Sequence, residues 1–255
     1  MRLSKWQALG NDYLLVERAE LTQPLTPDRV RDLCDYHYGV GSDGLLEVVS
    51  ADGARAEIRI WNPDGSTAEL SGNGVRIVAA WLGRRSGADR VAIRVGPREV
   101  AAAVGADGNI ALDVGQVDVG ESETLDLGDE RVEFTPVSVG NPHAVVRREP
   151  ERGELLRLGP RIERHSRFPE RTNVQLVRVD GRHDLTVGVW ERGAGETLSS
   201  GTSSVAAAAA SVANGWCESP VQVHLPGGDL LVELDVDGRA RLTGPAEEIC
   251  RVELV

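Results

Sequence analysis

Ile60-Trp61-Asn62, with Ser71-Gly72 nine positions on, returns as Val189-Trp190-Glu191 with Ser200-Gly201 at the same spacing. A Trp precedes the Ser-Gly pair by ten residues in both copies, which lie 129 positions apart. Internal repetition has to be settled before local structure is read, and further matches hold the register. Gly10-Asn11 ahead of Leu14-Leu15-Val16 pairs with Gly140-Asn141 ahead of Ala144-Val145-Val146, at an offset of 130. Ser42-Asp43 pairs with Thr172-Asn173, Asp52-Gly53 with Asp180-Gly181, Val91-Ala92-Ile93 with Val221-Gln222-Val223, and Asp107-Gly108 with Asp237-Gly238. Six anchors in one order argue for a duplicated unit.

Each unit reads mostly as strands. Glu57–Trp61 and Asp184–Trp190 alternate polar and apolar residues, the period of a half-buried strand. Leu230–Leu234 and Arg239–Leu242 flank Asp237-Gly238 as a hairpin. Thr26-Pro27-Asp28 starts a helix with Val30, Leu33 and Cys34 on one face. Two further helices follow the Ser-Gly pairs. One runs from Gly72 to Gly83 or Gly87; the other runs from Gly201 through five alanines to Ala213 and carries no charged residue. A helix apolar all round should be buried all round. Each unit is therefore expected to wrap its strands around one central helix. The expected halves are residues 1–118, completed by a C-terminal strand at 247–255, and residues 119–246. The boundary falls in the acidic stretch Val119–Asp129, and an active-site cleft is expected between the halves.

Composition narrows the function. The 255 residues carry 28 Lys and Arg against 40 Asp and Glu, a net charge of −12, and such a field repels nucleic-acid backbones. No uncharged apolar run approaches the roughly 18 residues of a membrane span, and Met1–Trp6 lacks the apolar core of a signal peptide. The expected setting is the cytoplasm, the expected partner a small amino-acid substrate, and a homodimer stays open. Cys34, Cys217 and Cys250 match neither a disulfide framework nor a zinc site and read as small apolar fillers. Gly39–Gly44 spells G-x-G-x-x-G, but it follows a helix and leads into a strand, the reverse of a dinucleotide site. No G-x-S-x-G elbow supports a hydrolase.

The starts of the two central helices carry the functional signal. A helix N-terminus offers unpaired N–H groups and a positive dipole end to an anion such as a carboxylate. Ser71 and Ser200 stand directly before them. Either serine alone reads as an ordinary N-cap, and Asn62 or Asn141-Pro142-His143 alone as turn chemistry. Recurrence at equivalent repeat positions groups them with Asn11, Asn173, Glu191 and Arg192 as a candidate site.

Taken together, Gly10-Asn11-Asp12, Trp61–Ser66, Ser71–Arg76, Gly140–His143, Glu191–Thr197, Gly201-Thr202 and Leu225–Gly228 resemble the diaminopimelate epimerase family. The likeness covers essentially the whole chain. It implies an α+β fold of two pseudo-symmetric halves, each an open barrel around a central helix, and cofactor-free epimerisation of LL- and meso-diaminopimelate in lysine and cell-wall precursor synthesis. It also implies two cysteines, one on each face of the α-carbon, where this chain has Ser71 and Ser200. By the same resemblance His143 lies beside the first position and Glu191 beside the second. Gly72, Asn73, Gly201 and Thr202 offer helix-start amides to the α-carboxylate. Asn11, Asn62, Asn141, Asn173, Glu191 and Arg192 hold the rest of the substrate, and Gly44 stands where some members carry a glutamine.

The serines set the chemical problem. A thiol of pKa ~8.5 reaches a useful thiolate fraction near a helix N-terminus or a base, whereas a serine hydroxyl must borrow a base. Ser71–His143 and Ser200–Glu191 are the expected dyads. A lyase or isomerase acting on another amino acid, and a catalytically silent binder of diamino acids, are the alternatives.

Overall fold

The turns at Gly10 and Gly140 lead into two buried runs, Tyr13–Val16 and His143–Val146. In the computed structural model, which describes residues 1–254, β1 (Arg2–Ala8) passes through Leu9-Gly10 into β2 (Asn11–Glu17). Gly10 and Gly140 take φ of 82° and 84°, left-handed values that cost glycine little. Tyr13 and Leu15 on β2 face one core cluster, Leu14 and Val16 another. The strand is thus buried on both sides, which explains its unbroken apolar run.

The chain divides into two compact units, Met1–Asp113 with the C-terminal residues from Thr243, and Val114–Leu242. In the first, α1 (Pro27–Cys34) follows β2, then β3 (Leu45–Asp52), β4 (Arg55–Trp61), β5 (Thr67–Ala68), α2 (Gly72–Ser86), β6 (Arg90–Val95), β7 (Arg98–Val104) and β8 (Asn109–Gln116). β19 (Glu247–Glu253) lies antiparallel to β1, with Leu3 opposite Val252. β2 runs parallel to β3 and β4 parallel to β6, and the other neighbours are antiparallel.

The second unit has β9 (Asp118–Val119), β10 (Glu123–Asp126), β11 (Arg131–Ser138), β12 (Pro142–Arg147), α3 (Arg152–Glu163), β13 (Asn173–Gly181), β14 (Asp184–Glu191) and β15 (Gly195–Thr197). It continues with α4 (Gly201–Ala213), β16 (Val221–Leu225), β17 (Gly228–Leu234) and β18 (Arg239–Pro245). Its pairing repeats the first unit sense for sense: β12 is parallel to β13, and β14 to β16. β9 covers β11 as β19 covers β1. The acidic stretch 119–129 is part of this sheet, because β10 pairs with β11 and buries Leu125. The division at Asp113 accordingly precedes it.

Each unit closes its strands around one helix. α2 packs on β1, β2, β3, β4, β6 and β7, and α4 on β9, β11–β14, β16 and β17. Ala206–Ala210 are at most 4% exposed, and their small side chains let the strands approach from all round. α2 ends at Gly87, whose φ of 72° and N–H to Gly83 O at 2.8 Å stop the helix. The outer faces of the buried strands are covered by α1 and α3. Thr26 Oγ1 caps α1 by accepting from Arg29 N at 3.2 Å. The Gly39–Gly44 stretch connects α1 to β3, helix before strand as its sequence context predicts.

Cys34 and Cys217 are buried, whereas Cys250 is exposed on β19. The filler reading therefore fails for Cys250, because β19 pairs along β1 and turns most of its side chains outward. Among the described residues, no helix is long and apolar enough to cross a membrane.

Candidate active site

Ser71 precedes α2 in an extended conformation and caps it, its Oγ accepting from Gly74 N at 3.1 Å. The Tyr13 hydroxyl lies 3.1 Å from the same oxygen. Asn73 is buried in the first turn, and its Oδ1 accepts from Arg76 Nη2 at 2.7 Å. Arg76 is wholly enclosed; its Nε reaches Pro245 O at 3.5 Å, while Nη1 has no hydrogen-bond partner among the described residues. Burial lowers that guanidinium to about 10, which still leaves it charged at neutral pH. It fixes which end of the Asn73 amide faces inward.

The Asn11 amide is set by Asp43, which accepts from Asn11 Nδ2 and from Asp12 N, both at 3.1 Å. Asn62 stays within its own turn: Nδ2 donates to Ser66 Oγ at 2.9 Å and the Asn62 N–H to Ser66 O at 2.8 Å. β3 supplies a further anchor, because buried Glu47 accepts the indole N–H of Trp61 at 3.1 Å and so fixes the end of β4 before the Asn62 turn.

The second unit answers with different chemistry. Ser200 occupies the N-cap of α4 but makes no side-chain cap. Its hydroxyl donates instead to the carboxylate of Glu191, at the end of β14. Burial pushes the Glu191 carboxyl up, and the Ser200 bond draws it partly back. Gly201 and Thr202 open the helix, and Ser204 N donates to Ser200 O at 3.0 Å.

His143 is 1% exposed and held from both sides. Gln175 Nε2 lies 3.1 Å from Nδ1 and can only donate, so Nε2–H donates to Asn141 Oδ1 at 2.9 Å. Burial drives the imidazole down to about 3, the Gln175 bond opposes the shift, and the Arg192 charge adds to it. The ring is neutral at physiological pH with both nitrogens engaged. Asn173 ties the corner together, donating to Pro142 O and accepting from Arg192 N, both at 2.9 Å. Glu163 on α3 takes Trp190 Nε1 at 2.9 Å and Gly193 N at 3.0 Å. The exposed guanidinium of Arg192 donates to Glu170 O at 3.3 Å.

Two hydroxyls at the starts of two buried helices, one beside a phenol and one on a carboxylate, suit proton transfer, with first-turn amides available to an anion. The family model for diaminopimelate epimerase matches residues 3–122 and 135–249. The chain belongs to the diaminopimelate epimerase family. A diaminopimelate epimerase of Desulfitobacterium hafniense is 38% identical, over 96% of this chain and 95% of that protein. Diaminopimelate epimerase 2 of Nostoc sp. is 36% identical, over 100% and 95%. Among solved structures, a PhzF-family phenazine biosynthesis protein of Bacillus anthracis superposes with a TM-score of 0.71 at 15% identity, over 100% of this chain and 99% of that one. A hydroxyproline epimerase of Agrobacterium vitis gives 0.69 at 16%, over 99% and 91%. These two likenesses show the fold.

Within the second unit the motif residues come together, Glu191 with Ser200, Asn173 with Arg192 and Asn141 with His143, whereas in the first Asn11 bonds Asp43, Asn62 its own turn, and Ser71 the Tyr13 hydroxyl and Gly74 N–H. Tyr13, Gln175, Arg76 and Glu163 are absent from the sequence reading of the site. Three of the four sit inside apolar strand or helix patterns, and Glu163 ends a helix that the sequence hides.

Proposed function

We propose that the protein is a cytoplasmic isomerase that interconverts LL- and meso-diaminopimelate by two-sided α-proton transfer, with no cofactor in the reaction. The hydrogen bond from Ser200 to the half-buried Glu191 carboxylate carries the reading, on the background of membership in the epimerase family. Ser71 and Ser200 stand where family members are expected to carry acid–base cysteines. A serine cannot hold a useful alkoxide fraction, so it needs a neighbour that takes or gives the proton. Glu191 meets that need, because burial makes its carboxylate a stronger base than an exposed one. A proton leaves the α-carbon for Ser200 Oγ while the Ser200 proton passes to Glu191.

First-turn amides at Gly72, Asn73, Gly201 and Thr202 receive the α-carboxylate and the charge that grows on it as the proton leaves. Asn11, Asn62, Asn141 and Asn173 orient the substrate, and Arg192 suits its distal carboxylate. His143 enters neutral. It aims the Asn141 amide, and it can accept a proton for Ser71 only by giving up its bond to Gln175.

Deuterium wash-in at the α-carbons of LL-diaminopimelate in D₂O tests the reading, with the stereochemistry of the recovered material determined. Exchange with formation of the meso isomer is expected. Loss of water or ammonia would replace the epimerase with a lyase. Saturable binding without exchange would leave a silent diamino-acid binder.

A further inference from the structure

Tyr13 and His143 are equivalents in the duplication, each third after the glycine of its turn, 130 positions apart. Both turn toward the central helix of their own unit. His143 connects to α4 through Gln175, whose Nε2 also donates to Ser203 Oγ at 3.0 Å. Tyr13 reaches α2 directly, with its hydroxyl 3.1 Å from Ser71 Oγ. The ring is 8% exposed and has been given room. A Cβ at Gly44 would lie 2.7 Å from the Tyr13 ring and 2.6 Å from Trp61 O, so the position admits glycine alone while Tyr13 keeps this pose.

The two serines are therefore served differently. Ser200 faces a base, the Glu191 carboxylate. Ser71 faces a phenol and the Gly74 N–H, a pair of groups that can both donate. We propose that Tyr13 is a positioning residue for Ser71, holding its hydroxyl and supplying, through that hydrogen bond, the proton that Ser71 passes to the α-carbon. The inference rests on the reading of Ser71 as the proton donor on its face of the substrate.

The transfers balance. The carbanion electron pair takes the Ser71 proton and forms the new C–H bond. The phenolic proton moves to Ser71 Oγ, and the negative charge comes to rest on the Tyr13 oxygen. In the reverse direction Ser71 Oγ receives the α-proton and returns its own to the phenolate. A phenol, at an ordinary pKa of ~10, is far closer to a thiol at ~8.5 than a serine hydroxyl is. The second donor, Gly74 N–H, keeps the oxygen in place while its proton is exchanged.

The test is a double-mutant cycle on the exchange and epimerisation of LL-diaminopimelate, using the full chain, Tyr13→Phe, Ser71→Cys and the double variant. Tyr13→Phe keeps the ring and its packing, and far-UV circular dichroism checks the fold. In the serine background it is expected to lower kcat by about 100-fold with KM within about 3-fold, the signature of a lost proton-transfer aid. The decline of kcat at high pH that ionisation of the phenol imposes should vanish with it. In the Ser71→Cys background the same change should cost less than about 3-fold, because a thiol brings its own proton, and non-additivity of that kind marks a shared step. An equal cost in both backgrounds, or an unchanged kcat and basic limb, would overturn the role of Tyr13 and leave the epimerase reading standing. Absence of exchange in the unmodified protein would overturn both.

Discussion

Burial lifts the Glu191 carboxyl above its ordinary 4.5, and the Ser200 hydroxyl offsets part of the rise. Between the unfolded and folded pKa values the native state holds the proton more tightly. Stability therefore falls as pH rises through that interval, and the cost of the half-buried charge is carried in full above it. Glu191→Gln is expected to raise the urea midpoint at pH 8, with the gain fading below pH 4.5, while activity falls by roughly 10²- to 10⁴-fold. A stability gain that persisted unchanged at pH 4 would show that the carboxylate is not the cause. His143 shows the same linkage with the opposite sign. Its imidazole is held down at about 3 against an ordinary 6.5, chiefly by burial. The unfolded chain takes up a proton below 6.5 that the native ring refuses until about 3, so stability drains away as pH falls through that window. His143→Gln should flatten the decline, which urea titrations at pH 7 and pH 4.5 will read. At this scale the serines, Glu191 and His143 were legible because the duplication and the family motifs pick them out. Tyr13 was not, because it opens an apolar run and its hydroxyl is invisible to hydrophobic pattern. The offset of 130 that sets it against His143 was the available signal.

The central helices differ in how they tolerate change. α4 is enclosed from Ser203 to Ser211, and its alanines have no open side into which a larger group could turn. Ala208→Leu should cost about 1–3 kcal/mol by overpacking, read as a lower urea midpoint. A loss below about 0.5 kcal/mol, the range of surface substitutions, would mean that the strands are not closed on this helix. Both central helices could be read from sequence, one by the absence of charge and one by its Ser-Gly start and Gly87 stop. α3 could not. Leu155, Leu158 and Ile162 form a buried stripe at helical spacing, but Glu151 gives no side-chain cap and Pro160 falls inside the helix. Both features are ordinarily taken to argue against a helix there. Packing of that stripe against Ala144, Val146, Val174 and Leu176 overrides them. The same helix then delivers Glu163 to Trp190 and Gly193, an anchor no local pattern shows.

Duplication accounts for most of the molecule, and the exception is instructive. The first repeat is 1–113 in sequence, yet its sheet takes its outer strand from the far end of the chain. In the second unit β9 does this work from directly upstream. In the first unit that place beside β1 is taken by β19, with Ser4 opposite Arg251 and Lys5 opposite Cys250. Val252 and Leu254 then pack against the cluster that holds Leu3, Leu14 and Val16. Ending the chain after Ala246 would remove those two side chains and uncover the backbone edge of β1. At ~1.5–3 kcal/mol for a fully buried aliphatic side chain, and less for partly buried ones, the apolar loss alone comes to roughly 2–4 kcal/mol. The freed edge also becomes a template for pairing between molecules. Hydrogen exchange should localise the damage: β1 and β2 lose protection first, while β12 and β13, which close on α4 without help from the C-terminus, keep theirs. Equal loss in β12 and β13 would overturn this account, since the tail would then support the second unit as directly as the first. Protection retained in β1 would mean that its pairing with β2 is sufficient and that β19 serves only to cover an edge.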